Sequence, residues 1–318
     1  MKNPNPNQYV ISTKQFEVDY LLEVFQLVDD MKKNPQKYYR ELKNKIVATL
    51  FYEPSTRTRF SFESAVHRLG GSVITTENAA EFSSSSKGET IEDSTRVMGT
   101  YADFIIMRHF DDEASERAME VTTVPLINAG SGKSQHPTQS LLDAYTIYQN
   151  FGRLDNLKIA LAGDLLRGRT VGSLVYLLGK FPGNHFCFIS PENSRIKEGV
   201  KEYLRERDLT FTETDNLESC LRETDILYMT RIQKERFKRR LEYEKAKGNL
   251  VLTLAKVQTM KEEAIVMHPL PRVDEISVEV DDDKRAKYFE QAANGLWVRM
   301  ALLKKLNDYN YNDKNNKK

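Results

Sequence analysis

The chain has 318 residues, of which 40% are hydrophobic, enough to bury a core in each of about two domains. Its 47 basic residues nearly cancel its 46 acidic ones, and the net charge of +1 excludes a global attraction to nucleic acid or anionic lipid. The amino terminus lacks the apolar core of a signal peptide, and no apolar run approaches the roughly 18 residues of a membrane span.

The two cysteines, Cys187 and Cys220, lie far apart in the sequence. Such spacing predicts neither a zinc cluster nor a disulfide framework. We therefore expect a cytoplasmic protein from a reducing compartment, with no nucleic-acid or membrane partner.

Helices and strands alternate along the first half. The predicted helices are Phe16–Lys33, a segment that follows Arg59 and stops at Gly70, and a segment whose start Thr90 marks as a cap. The predicted strands are Asn44–Tyr52, Ser72–Glu77, Ala102–His109 and Thr122–Gly130. The serine-rich segment Phe82–Glu89 predicts a mobile loop.

The second half repeats this alternation. Its predicted strands are Leu157–Asp164, His185–Ser190, Leu209–Glu213, Asp225–Thr230 and Ala264–Pro271, the last entering a turn in which one proline is a candidate for a cis bond. Its predicted helices are Thr170–Phe181, Ser194–Asp208, Leu217–Glu223 and Asp281–Leu306. The polar run over 231–249 predicts a long loop. Alternation of this kind indicates an α/β fold with parallel sheets, and we place a domain boundary near Gly152.

Polar side chains stand where most of the predicted strands end. Ligands of open α/β sheets bind at the carboxyl ends of the strands. An isolated arginine there is usually solvated, but four arginines at such ends indicate a ligand with several negative charges. The residues are Arg57, Arg108, Arg169 and Arg231, with His136 among them.

The segment Ser55–Thr58 fits a phosphate best. It begins a predicted helix, whose first N–H groups and dipole favour an anion, and it adds hydroxyl donors and one guanidinium. The chain has neither a Walker A loop nor a G-x-G-x-x-G turn after a strand, so a nucleotide is not indicated.

Four residues keep a structural alternative at this point. Taken alone, His136 is more often a buried histidine bonded to backbone, and a structural role for His268 is as consistent as a catalytic one. Lys87 is by default a solvated lysine, and Arg59 is consistent with a role in the fold.

Several segments together resemble the catalytic chains of the aspartate/ornithine carbamoyltransferase family. They are FYEPSTRTRFSFESAVHRLGG, SSSSKGET, MRH, NAGSGKSQHPTQSLLDAYTI, GDLLRGRTVGSL, YMTRIQKERF and MHPLPRVDEI, in the family's order. The HPLPR and RIQKERF segments favour aspartate over ornithine as the amino acceptor. The resemblance implies the transfer of a carbamoyl group from carbamoyl phosphate to L-aspartate, in pyrimidine biosynthesis, with no cofactor and no metal.

The resemblance also implies the domains and the assembly. We expect a carbamoyl-phosphate-binding domain over 1–152, completed by a C-terminal helix at about 293–310 that packs back on it, and an aspartate-binding domain over 153–292. Each domain is expected to hold a parallel sheet flanked by helices, and residues 311–318 to form a flexible tail. The resemblance implies a homotrimer in which neighbouring subunits share active sites.

The site residues follow by motif. Carbamoyl phosphate is expected to contact Ser55, Thr56, Arg57, Thr58, Ser83, Lys87, Arg108, His136, Gln139, Pro269 and Leu270. L-Aspartate is expected to contact Lys87, Arg169, Arg231 and Gln233. The residues expected to act in catalysis are Arg57, Thr58, Lys87, Arg108 and His136. Ser83 and Lys87 match loop residues that enter the neighbouring subunit's site in the family.

The chain departs from the family's usual pattern at a few positions. Phe110 stands where proline is frequent, and Ser131 where aspartate is common. The acidic segment that begins at Phe110 leaves open whether a separate regulatory chain binds. Two rival functions are a carbamoyltransferase with another acceptor and a non-catalytic scaffold subunit, of which the second predicts disrupted ligand positions.

Overall fold

The computed structural model describes residues 5–79, 88–132, 135–231 and 250–316, with side chains up to 310. Its contacts form two compact units. The first unit comprises Met1–Leu141 and Asn294–Lys318, and the second comprises Leu142–Ala293. The substrate domains that the sequence places over 1–152 and 153–292 stay a prediction.

The first unit is built on a five-stranded parallel sheet in the order β1-β5-β4-β2-β3. Its strands are β1 Tyr9–Val10, β2 Ile46–Phe51, β3 Ser72–Glu77, β4 Phe104–His109 and β5 Leu126–Ser131. The central strands β2, β4 and β5 are almost wholly buried, which explains why they read as continuous apolar runs.

Helices pack on this sheet. They are α1 Val18–Lys33, α2 Thr56–Arg68, α3 Ile91–Tyr101 and α4 Ala114–Val121, with 3-10 turns at Thr13–Gln15 and Pro35–Tyr38. Gly70 ends α2 as predicted, since its φ is +81° and a Cβ there would lie 2.2 Å from the Tyr39 carbonyl oxygen. Thr90 caps α3 as predicted, because its hydroxyl accepts from the Asp93 N–H at 3.1 Å.

The second unit holds another five-stranded parallel sheet, in the order β10-β9-β6-β7-β8. Its strands are β6 Lys158–Ala162, β7 His185–Ile189, β8 Thr210–Thr214, β9 Ile226–Met229 and β10 Ile265–Met267. Helix α5, Pro137–Phe151, crosses the limit between the units. The helices after it are α6 Arg169–Leu178, α7 Glu198–Arg205, α8 Glu218–Leu221 and α9 Leu254–Val257, with 3-10 turns at Glu192–Ser194 and Val278–Asp282.

The last helix, α10 Tyr288–Asn316, belongs to the first unit from Asn294 onward and packs back on it, as expected. Arg299 donates to the Ser61 hydroxyl at 2.9 Å and lies over the Phe62 ring, and Lys304 pairs with Glu41 at 3.0 Å. The helix continues to Asn316, and the flexible tail expected over 311–318 stays a prediction. Adding a residue to an existing helix gains a backbone bond without a new nucleation step.

A disulfide joins Cys187 of β7 to Cys220 of α8. The sequence-based expectation of no disulfide is therefore wrong for this structure. Separation along the chain says little about distance in space, and here a helix packs against the strand that carries the other cysteine. Among the described helices, none is long and apolar enough to cross a membrane.

Candidate functional site

Within the first unit, the carboxyl ends of β2, β4 and β5 meet at one edge of the sheet, because these strands are parallel neighbours. Arg108, the residue before the last in β4, pairs in register with Phe51 at the end of β2. Ser55–Thr58 follow β2 directly, and His136 follows β5. The structure thus brings the predicted phosphate-binding segment and Arg108 to the same edge.

The amino terminus of α2 lies at that edge and carries the groups that the sequence predicts to bind an anion. Ser55 is the N-cap residue, and its carbonyl accepts the N–H of Arg59 at 3.0 Å. Within the described residues, the Ser55 hydroxyl makes no capping bond to the helix. The first N–H groups of a helix have no intrahelical acceptor, so the N–H groups that follow Ser55 and its hydroxyl can converge on an anion. Thr56 and Arg57 are exposed, whereas Thr58 is buried against the unit.

Arg108 is held in place by an acidic neighbour. Only 8% of its surface is exposed, and its Nη2 donates to Glu53 Oε1 at 2.8 Å. Its Nη1 donates weakly to the Ala129 carbonyl at 3.5 Å. Glu53 was not predicted as part of the site, although its position two residues after β2 places it at the same edge. An anion that binds Arg108 has to share its guanidinium with Glu53.

His136 directly precedes α5, and Gln139 lies in the first turn of that helix. The His136 carbonyl accepts the N–H groups of Gln139 and Ser140 at 3.1 and 3.2 Å, and Pro137 opens the helix. The His136 side chain is buried and Gln139 is half-buried. Both are therefore fixed by the helix start rather than by a loop.

Arg59 serves the fold. Its guanidinium pairs with Glu63 at 3.7 Å and with Glu77 of β3 at 3.0 Å, so it joins α2 to the edge strand. This geometry favours the structural alternative for Arg59.

His109, next to Arg108, is a buried ring packed between two aromatic side chains. Burial lowers its pKa, and its Nδ1 accepts the N–H of Asp111 at 2.9 Å. Tyr52 and Phe110 pack against the ring at centroid distances of 4.7 and 4.2 Å. Phe110, which replaces the family's frequent proline, is itself largely exposed. These contacts give His109 a structural role beside the anion-binding edge.

Ser131, where the family commonly has aspartate, ends β5 in a buried hydrogen-bond network. Its hydroxyl lies 2.7 Å from the hydroxyl of Ser115 and donates to Asn128 Oδ1 at 3.2 Å. Asn128 in turn accepts the Gly130 N–H and donates to the Ile11 carbonyl. The serine is thus satisfied within the unit, and the substitution leaves the strand end ordered.

In the second unit, the carboxyl ends of β6, β9 and β10 meet at one edge, since β9 lies between the other two. Arg169 is the first residue of α6 and is half-buried, and Arg231 follows β9 and is exposed. The N–H of Asp164, just after β6, donates to the Arg231 carbonyl at 3.4 Å. Of the two arginines predicted to bind aspartate, Arg231 therefore stands close to the end of β9, and Arg169 opens the helix that follows the neighbouring strand β6.

The segment after β10 is ordered by His268 and Glu275. Glu275 Oε1 lies 2.7 Å from His268 Nε2, and the N–H of Leu270 donates to His268 Nδ1 at 2.8 Å. Leu270 has a φ of +52°, and the Leu270–Pro271 bond is cis, as the sequence suggested for one of these prolines. Burial alone would raise the pKa of Glu275, but the bonds from His268 and from backbone N–H groups hold it below its usual value. Glu275 was not predicted from the sequence.

Arg272 of the same segment is engaged within the unit. It pairs with Asp281, donates to the Tyr288 hydroxyl at 3.0 Å and stacks on the Tyr288 ring. These contacts connect the end of the turn after β10 to the segment that leads into α10, within the second unit.

Three predicted site residues, Ser83, Lys87 and Gln233, lie outside the described residues, as does most of the polar run after Arg231. Within the described part of the chain, no group of three or more His, Cys, Asp or Glu side chains could hold a metal ion.

Two family models match the chain in succession. The carbamoyl-phosphate-binding domain of aspartate/ornithine carbamoyltransferase matches residues 8–149, and the Asp/Orn-binding domain matches residues 155–306.

Individual relatives agree with these matches. Aspartate carbamoyltransferase 2, chloroplastic, of Pisum sativum is 50% identical over 302 residues, which cover 93% of this chain and 78% of that protein. The catalytic subunit of M. jannaschii aspartate transcarbamoylase superposes with a TM-score of 0.90 at 46% identity, covering 96% of this chain and 99% of that one. Aspartate transcarbamoylase of Trypanosoma cruzi in complex with carbamoyl phosphate and aspartate gives 0.88 at 36% identity, covering 94% and 95%.

Proposed function

The chain belongs to the aspartate/ornithine carbamoyltransferase family, and from that premise we propose that it is the catalytic chain of an aspartate carbamoyltransferase. It transfers the carbamoyl group of carbamoyl phosphate to the amine of L-aspartate, and the products are N-carbamoyl-L-aspartate and phosphate. The observation that carries this proposal is the arrangement of Ser55–Thr58 and Arg108 around one sheet edge of the first unit. The family carries out this reaction in pyrimidine biosynthesis, and we propose the same pathway for this chain.

Carbamoyl phosphate has two parts that need different partners. Its phosphate suits the start of α2, where Ser55, Thr56 and Thr58 supply hydroxyl and backbone donors and Arg57 supplies charge. Its carbonyl oxygen suits Arg108 and His136, both buried and therefore acting in a medium where a hydrogen bond is strong. Gln139, with the backbone of Pro269 and Leu270, is assigned to the carbamoyl amino group.

L-Aspartate carries two carboxylates. Arg169 and Arg231 follow neighbouring strands of the second unit, and each carries a planar guanidinium group of the kind that binds a carboxylate through two hydrogen bonds. The resemblance adds Gln233 and Lys87 to the same substrate.

The chemistry proceeds by direct attack. The neutral amine of aspartate forms a C–N bond to the carbonyl carbon, and negative charge develops on the carbonyl oxygen. Arg108, His136 and Thr58 stabilise that charge, and one such donor is typically worth about 3–4 kcal/mol in the transition state. The C–O bond to phosphate then breaks, and we assign the amine proton to the leaving phosphate. No cofactor and no metal enters this scheme.

Turnover with two acceptors tests the proposal. Purified chain is assayed with radiolabelled carbamoyl phosphate and either L-aspartate or ornithine, and we expect product with aspartate only. Arg57→Ala should lower kcat/KM by at least about 100-fold, since it removes a charge-assisted contact to the phosphate. It should leave the unfolding temperature unchanged because Arg57 is exposed.

A surface arginine provides the control. Arg96→Ala removes an exposed partner of Asp93 in the same unit and should keep full activity. Turnover with ornithine alone would assign the chain to the other acceptor, and no turnover with either would favour the scaffold alternative. Normal activity of Arg57→Ala would contradict the phosphate assignment.

The chain is further proposed to act as a homotrimer with shared sites, in the cytoplasm. The match of Ser83 and Lys87 to residues of a neighbouring subunit's site supports the sharing. Three large apolar side chains exposed on the first unit are candidates for the interface: Tyr39 is 49% exposed, Phe60 of α2 54% and Ile74 of β3 40%. The acidic segment after His109 keeps a separate regulatory chain open as a partner.

A further inference from the structure

Resting on the proposed function, we propose that Glu275 is a positioning residue, which acts through His268 to fix the backbone of Pro269 and Leu270 at the carbamoyl group. Neither His268 nor Glu275 has a role in the scheme above. Both are almost completely buried, at 2% and 6% exposure, behind a segment to which the scheme assigns a substrate contact.

The hydrogen bonds define one protonation pattern. Because His268 Nδ1 accepts the Leu270 N–H at 2.8 Å, the ring proton is on Nε2, which donates to Glu275 Oε1 at 2.7 Å. Glu275 Oε2 accepts the N–H groups of Val273 and Asp274, each at 3.1 Å. One carboxylate therefore receives three donors and closes the segment from both ends.

These hydrogen bonds constrain the backbone of Leu270. Its φ of +52° is a backbone conformation that a branched side chain rarely adopts, so the surrounding contacts must hold it there. The bond from its N–H to His268 is such a contact. Glu275 selects the tautomer that leaves Nδ1 as an acceptor, and it thereby keeps the bond to Leu270 intact.

The same segment is anchored deeper in the second unit. The His268 N–H donates to Gln291 Oε1 at 2.9 Å, and the Gln291 amide donates to buried Asp143. Asp143 in turn accepts the hydroxyl of Tyr228, in β9, at 2.8 Å. Tyr228 lies three residues before Arg231, so one buried chain of bonds connects the carbamoyl segment to the strand that carries an aspartate-binding arginine.

Glu275→Gln is an isosteric change that this geometry does not tolerate. With the amide oxygen toward His268, the amide N–H₂ faces two backbone N–H groups. With the amide turned round, its N–H₂ faces Nε2, which then has to accept, and the ring proton moves to Nδ1 and faces the Leu270 N–H. Either orientation leaves donors opposed to donors inside the segment.

The predicted defect is selective for the carbamoyl group. Pro269 and Leu270 are assigned to the carbamoyl amino group, whereas phosphate is assigned to the first unit. Glu275→Gln should therefore lower kcat/KM for carbamoyl phosphate by about 10- to 100-fold, the size expected for a misplaced contact. The inhibition constant of inorganic phosphate should stay within about twofold of the wild type, because binding of phosphate alone does not use this segment.

Asp283→Asn is the matched control. It removes a half-buried carboxylate of the same unit that pairs with Arg285 at 2.7 Å, outside the 268–275 segment. It should lower the unfolding temperature without changing the ratio of the two constants. If both constants change together in Glu275→Gln, or if neither changes, the positioning role is wrong.

A second pair of variants keeps the test decisive if Glu275→Gln does not fold. His268→Asn places an amide oxygen near Nδ1 and keeps an acceptor for Leu270, whereas His268→Gln reaches Glu275 and loses that acceptor. We expect kcat/KM for carbamoyl phosphate to fall about tenfold further in His268→Gln than in His268→Asn. Equal losses in the two variants would overturn the inference.

Absence of wild-type turnover would overturn the proposed function and this inference with it, whereas an active wild type with an unaffected Glu275→Gln would overturn the inference alone.

Discussion

Gly163, directly after β6, shows how a single residue shapes the aspartate side of the site. Its φ is +123°, and a Cβ there would lie 2.3 Å from both the carbonyl oxygen and the hydroxyl of Thr230. Thr230 is fixed by two bonds to the Ala162 carbonyl, and Arg231 follows it. A side chain at this position must therefore displace the backbone that carries Arg231.

Gly163→Ala should lower the free energy of unfolding by about 1–3 kcal/mol, through backbone strain and the contact with Thr230. It should raise KM for aspartate while leaving the inhibition constant of phosphate unchanged. Denaturant unfolding and steady-state kinetics measure the two effects.

Gly199 of α7 gives the control. A Cβ at this position meets nothing within 4 Å, so Gly199→Ala should stabilise the protein by up to about 1 kcal/mol and leave both kinetic constants unchanged. A destabilised Gly163→Ala with wild-type aspartate KM would show that Thr230 does not set the position of Arg231.

Individual residues were predictable where their chemistry is local. Ser55–Thr58 at a helix start and the cis proline after Leu270 follow from neighbouring residues in the chain. Glu53 and Glu275 were missed, because the partner of a carboxylate depends on contacts that only the fold creates. Glu53, for example, binds Arg108, which is 55 positions away in the chain.

At the scale of elements, periodicity predicted most of the helices and strands, since the face of an element that joins the core has to be apolar while the opposite face can be polar. The short strand β1 was not predicted, because its two residues, Tyr9 and Val10, carry no periodic signal. The order of strands within each sheet was not predicted either, because an apolar face does not specify its neighbour.

The disulfide links β7 to α8, two elements between which the sequence predicted no contact. It closes a loop with a sequence separation of 33, and a cross-link of this kind stabilises by restricting the unfolded chain, typically by about 2–4 kcal/mol. Dithiothreitol should therefore lower the unfolding temperature of the wild type and have no effect on the Cys187→Ser, Cys220→Ser double variant.

Thiol alkylation followed by mass spectrometry provides the direct measurement. We expect no alkylated cysteine in the native protein before reduction and two after it. Two reactive thiols in protein kept free of reductant would contradict the bond. A reducing cytosol keeps cysteines as free thiols. A disulfide found by the same measurement on freshly lysed cells would therefore contradict the cytoplasmic prediction.

At the scale of the whole molecule, the proposed trimer makes a quantitative prediction. Lys87→Ala and Arg57→Ala should each be inactive alone. When the two chains are unfolded together in equal amounts and reassembled, about a quarter of the sites should combine an intact Arg57 from one chain with an intact Lys87 from its neighbour. Activity near a quarter of the wild type is the expected result.

Two measurements control this experiment. Each variant reassembled with itself should stay inactive, and sedimentation should show that the mixture has regained the oligomer. A reassembled but inactive mixture would mean that Lys87 serves the site of its own chain.

The C-terminal helix has a consequence for the order in which the protein is made. Arg299 and Lys304 contact Ser61, Phe62 and Glu41, so the first unit is completed by residues that leave the ribosome after the whole second unit. The whole of Leu142–Ala293 is synthesised in between, which takes roughly 8–30 s at about 5–20 residues per second. During that interval the surface of α2 that Arg299 later covers is open on a nascent chain. The second unit, which is continuous in the sequence, can complete its own core first, so folding during synthesis reverses the order of the two units along the chain.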